Sequence, residues 1–123
     1  MADHPNAALA RKAMDGFNNG DMEGISAFLA DDVVWHEIGR VEPRRGLAEM
    51  VASMGSSDFE ITAKVHDVVA NDDHTIALVD ATANRGGKTL NYRTAEIMHL
   101  RDGKVVERWA FSDDTAAIVE FFK

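Results

Sequence analysis

Four alternating runs in the second half of the chain, each joined to the next by a short turn, limit it to a sheet-building fold. Phe59 to Ala70, His74 to Asn84, Thr89 to Leu100 and Val105 to Ser112 are rich in β-branched or aromatic residues. They are joined by Asn71-Asp72-Asp73, Arg85-Gly86-Gly87-Lys88 and Arg101-Asp102-Gly103-Lys104. Gly-Gly and Asp-Gly supply the positive φ angles that two-residue hairpin turns require, so the runs are read as an antiparallel meander. A fifth, shorter run, Val33-Val34-Trp35-His36-Glu37, reads as a strand standing apart from the other four.

Helical spacing fills the remainder. Leu9, Ala10, Ala13, Met14 and Phe17 recur on one face behind Asp3, a candidate N-cap, and Pro5. Asn18-Asn19-Gly20 ends that helix, and Asp21 caps a short second one carrying Met22, Ile25, Phe28 and Leu29. A third starts near Gly46 with Leu47, Met50, Val51 and Met54 on a face, and Gly55 closes it. The last begins at Asp113 or Asp114 and carries Ala117, Ile118, Phe121 and Phe122. Helices that mostly precede a run of hairpins mean an α+β domain, not a doubly wound parallel sheet. With 123 residues and 46% hydrophobic content, residues 1–123 read as one domain with enough apolar mass for its own core.

Composition removes several functions. The absence of cysteine excludes a disulfide scaffold, thiolate metal ligands and a cysteine nucleophile. A net charge of −8 without a basic stripe disfavours nucleic acid as a partner, because displacing counterions from phosphate needs clustered Lys and Arg. No apolar run approaches the roughly 20 residues that span a bilayer, so no membrane partner and a soluble, cytoplasmic domain are expected. His36, His66, His74 and His99 lack metal-ligand spacing, so neither a metal nor a cofactor is expected. The serines sit outside any nucleophile-elbow context.

Polar residues on the covered face of the sheet carry the functional information, because burial costs them unless they are paired or used. Tyr92, Thr94, Glu96, Met98 and Leu100 share one face of their strand, and Val33, Trp35 and Glu37 share one face of theirs. Each set places a carboxylate on an apolar background. Two such glutamates in one cavity split their pKa values into a base and a protonated donor. The plainer reading is a solvated or ion-paired glutamate, with Arg108 the natural partner for Glu96.

The chain resembles the NTF2-like superfamily, on the branch holding ketosteroid isomerases and SnoaL-like polyketide cyclases. The resemblance rests on Gly20-Asp21, Ala30-Asp31-Asp32-Val33-Val34-Trp35-His36, Gly46, Leu100-Arg101-Asp102-Gly103-Lys104-Val105 and Glu107-Arg108-Trp109, in that order. It implies a cone-shaped, curved antiparallel sheet with helices on its concave face, a deep apolar pocket, and a homodimer formed through the outer sheet face. The isomerase pattern puts the base on Glu37 and the protonated oxyanion-hole acid on Glu96, while its tyrosine position falls on Ala13. In ketosteroid isomerases an apolar site keeps that acid neutral, a property of those enzymes that the resemblance alone brings to Glu96. Cyclases and epoxide hydrolases of this kind carry an aspartate after the tryptophan, where Ala110 stands here. The expected lining is Phe17, Trp35, His36, Met54, Tyr92, Met98 and Arg108, with either His36 or Glu37 facing inward.

The implied activity is proton transfer next to a carbonyl in a small hydrophobic molecule. A non-catalytic ligand-binding or dimerising domain of the same fold is the alternative, and a cyclase or epoxide hydrolase ranks below both. On the last strand Val106, Arg108, Ala110 and Ser112 are expected to face inward, leaving Trp109 and Phe111, with Val68 of the first long strand, for a dimer interface.

Overall fold

The computed structural model describes residues 4–55 and 58–123, without the side chains of residues 54 and 55. Its elements run α1 (Pro5–Asn18), α2 (Met22–Phe28), β1 (Leu29–Trp35), β2 (Arg44–Arg45), α3 (Leu47–Gly55), β3 (Glu60–Ala70), β4 (His74–Arg85), β5 (Lys88–Arg101), β6 (Lys104–Ser112) and α4 (Thr115–Phe121). The six strands form one open sheet in the order β2-β1-β6-β5-β4-β3. Among the described residues, no helix is long and apolar enough to cross a membrane.

The expected meander is there as β3 to β6, antiparallel throughout. Both glycine turns take the predicted positive φ, at Gly86 and Gly87 and at Asp102 and Gly103. The sheet is nevertheless mixed, not antiparallel throughout, because β1 pairs parallel to β6, with Trp35 opposite Arg108. Strand β1 enters from the helical layer beside the last strand, a long-range pairing that no local turn signals. It also ends earlier than expected, at Trp35, so His36 and Glu37 lie just beyond it. The two-residue β2 pairs back onto it, with Arg44 opposite Trp35.

Caps fix the helix starts. The Asp21 carboxylate accepts from the Gly24 N–H at 3.0 Å, and that of Asp114 from the Ala117 N–H at 3.0 Å. Asp113 does a different job, accepting from the Arg93 N–H on β5 at 3.1 Å. Asp3 lies outside the described residues; His4 caps α1, its Nδ1 accepting from the Asn6 N–H at 3.1 Å.

Helix α1 packs across β3 and β4, and α3 against β1, which defines the covered face. The core holds Ala7, Ala10, Leu29, Val33, Met50, Val79, Met98 and Val105, with Met14, Phe17, Phe28 and Trp35 packed on it. Val51 departs from the expected α3 face and is exposed. Two sheet irregularities reverse local parity. A bulge between Val65 and Asp67 turns Val68 into the core and Val69 outward, and another between His99 and Leu100 gives Val105, not Val106, the fully buried place.

Candidate functional site on the covered sheet face

Register assembles the inner face row by row. Ala77 of β4, Glu96 of β5 and Ala110 of β6 form one row; Thr75, Met98 and Arg108 form the next. Glu96 therefore sits between two alanines, each of which brings only a single methyl group to the row. Tyr92 lies further along the same face of β5, opposite Ala81.

Arg108 is held from three directions. Its Nε donates to Glu96 Oε1 at 2.9 Å, and Nη2 donates to the same oxygen. Its Nη1 donates to the His36 carbonyl at 3.1 Å, and the guanidinium lies 4.3 Å from the Trp35 ring centre. The side chains of Arg108 and Glu96 are only 10% and 15% exposed. Both arginine contacts fall on Oε1, and among the described residues Oε2 takes no hydrogen bond. The hydroxyl of Tyr92 has no protein partner there either. Since the one solvent-sealed, unpartnered side-chain atom among the described residues is Thr75 Oγ1, both Glu96 Oε2 and Tyr92 Oη are reached by solvent. Burial, reinforced by the nearby Glu96 charge and opposed by Arg108, raises the Tyr92 pKa above its ordinary 10.0. The phenol thus remains a hydrogen-bond donor throughout the neutral range.

Glu37 stands differently. Arg44, brought beside it by β2, donates from Nε at 3.2 Å and from Nη2 at 3.4 Å, and the Glu37 side chain is 42% exposed. His36 belongs to the outer face: its ring stacks on Trp109 with centres 5.4 Å apart, and its Nε2 lies 2.8 Å from Glu107 Oε2. That answers which of the two neighbours turns away from the covered face, since His36 contributes only its carbonyl to Arg108.

Of the other expected lining residues, Phe17, Trp35, Tyr92 and Met98 meet in the core cluster, whereas the Met54 side chain lies outside the described residues. Two hollows of about 430 Å³ open at the surface. One is lined partly by Ala81 and Tyr92; neither is lined by Glu96 or Glu37. Sequence reasoning missed two things here. Arg44 carries no local signal, because only the β2 pairing brings it to Glu37. Thr75 was readable from β4 alternation with Ala77, Val79 and Ala81, all on the buried side.

The SnoaL-like domain model matches residues 10–108, which takes in β1, the whole meander to Arg108 and all of α1's core face beyond Leu9. The chain belongs to the SnoaL-like domain family. An uncharacterised protein of Mycobacterium tuberculosis is 28% identical to this SnoaL-like domain, over 99% of both chains. Among solved structures, Bal32a, from a soil-derived mobile gene cassette, superposes with a TM-score of 0.84 at 26% identity, covering 96% of each chain. A proposed ketosteroid isomerase from Kribbella flavida superposes at 0.75 with 22% identity, over 89% of this chain and 78% of its own. A proposed polyketide cyclase and an epoxide hydrolase share the fold too. At such identities these likenesses speak for the NTF2-like, cystatin-like architecture alone.

Proposed function

We propose that this SnoaL-like domain binds a flat, apolar, oxygen-bearing molecule against the covered sheet face and moves a proton next to its carbonyl. The observation that carries this reading is the Glu96–Arg108 pair, an ion pair kept inside an alanine-floored apolar face with Oε2 left open. Buried pairs of this kind contribute little net stability, so their retention needs another reason.

The geometry changes the division of labour that the isomerase resemblance implies. An ion-paired Glu96 is a carboxylate, not a neutral acid, so its open Oε2 serves as the base. Tyr92 supplies the neutral donor for the developing enolate oxygen. Arg108 is a positioning residue, locked by Trp35 and the His36 carbonyl. A carboxylate base suits a C–H acidified by a carbonyl together with a neighbouring double bond or second carbonyl. Glu37, tied to Arg44, orders the segment after β1.

The test uses a fused-ring β,γ-unsaturated ketone, its conjugation followed by ultraviolet absorbance, and a fused-ring phenol as a binding probe. Glu96→Gln is expected to cost about 10²–10⁴-fold in rate while leaving phenol affinity within a few-fold. Tyr92→Phe loses less. An unchanged rate in Glu96→Gln overturns the assignment; wild-type protein that binds no phenol overturns the ligand site itself and favours the non-catalytic domain.

The outer face supports a homodimer. Phe111 is 62% exposed and Val69 55%, and Leu78 is exposed beside them on the strands between. Phe111→Glu places a charge there, and sedimentation velocity is expected to show loss of any dimer without loss of fold.

A further inference from the structure

Thr75 is fully buried, yet its Oγ1 has no hydrogen-bond partner among the described residues. A sealed hydroxyl without a partner opposes folding, and valine would occupy the same place without that cost. Its location gives it a use. Thr75 lies directly opposite Met98 on β5, one row from Glu96, which is its diagonal neighbour across the strand pair. Diagonal neighbours stand about 7–8 Å apart.

The side chain opposite Thr75 on β5 is adaptable. Met98 is unbranched and able to change rotamer, and α1 contributes Ala7 and Ala10 to the same core cluster. Resting on the ligand site described above, we propose that Thr75 is a specificity-determining residue. When a ligand lies over Glu96 and Met98 turns aside, the Thr75 hydroxyl bonds an oxygen at the ligand's inner end, donating to a ketone or accepting from a hydroxyl. The Thr75 hydroxyl thereby favours ligands that carry an oxygen at the end reaching it over those that do not.

Two fused-ring phenols test this, one carrying a ketone at the end remote from its hydroxyl and one lacking it. Their affinities are measured by calorimetry for the wild type, Thr75→Val and Thr75→Ser, alongside thermal unfolding. Thr75→Val is expected to raise Tm and to bind the ketone-bearing phenol about tenfold more weakly, with the plain phenol unchanged. Thr75→Ser, which keeps the hydroxyl, restores the preference. Equal effects on both phenols, as for a hydroxyl that only holds an internal water, overturn the proposal. So do unchanged affinities while both phenols still bind the wild type, an outcome that leaves the ligand site standing. Failure of both phenols to bind the wild type removes the ligand site and this inference together.

Discussion

Two glutamate–arginine pairs flank the end of β1, and the same chemistry has different consequences in each. Arg108 and Glu96 are 10% and 15% exposed and share one carboxylate oxygen; Arg44 and Glu37 are 23% and 42% exposed and meet through both oxygens. Water screens the second pair and lets either partner survive alone. The first pair has far less of that relief, since losing one member leaves a charge among Ala77, Ala110 and Trp35. Burial, more than hydrogen-bond count, separates a pair that fastens a loop from one that equips a site.

The contrast breaks most sharply at Arg108. Arg108→Met leaves Glu96 unpaired and is expected to cost about 3–5 kcal/mol in urea unfolding. Combining it with Glu96→Met is expected to return most of that loss, because a buried pair replaced by apolar residues is often neutral or better. A double variant as unstable as the single one would show that the pair holds the fold together.

A smaller effect is read at the only tyrosine in the chain. Tyrosinate absorbance is expected to appear above pH 10 in the wild type. Glu96→Gln should move it down and Arg108→Met up, while Glu37→Gln leaves it in place, following the causes of the raised pKa. The sign for stability follows. The folded state holds this proton more tightly than the unfolded chain, so the contribution is complete below pH 10 and is lost as pH climbs through the raised folded value.

Smallest is Arg44→Ala, expected to cost about 0–1 kcal/mol and to matter less as salt is added. A larger loss there would erase the distinction between the pairs.

Local chemistry made most of this fold legible. Gly86-Gly87 and Asp102-Gly103 marked the hairpins, Asp21 and Asp114 the helix starts, and alternation placed Tyr92, Glu96 and Met98 on one face. The failures share a physical origin. A bulge adds one residue and reverses every side chain after it, which is why Val68 rather than Val69 entered the core. Glu37 looked inward only while β1 was drawn straight through it. The strand stops at Trp35, and Arg44 then claims the carboxylate from a segment too short to show periodicity. The Glu96–Arg108 pair was foreseeable, because both residues fall at alternating positions on neighbouring hairpin strands; the orphaned hydroxyl of Thr75 depended on everything packed around it.

The side-by-side alignment of β1 with β6 also sets a timetable. Leu29 meets Val105 and Trp35 meets Arg108, so residues made early wait for a strand made near the end. While the ribosome is still translating β5, the leading helices and Val33 have no finished surface to settle on. Non-local closure of this kind slows folding and prolongs the exposure of apolar segments until the partner strand is in place.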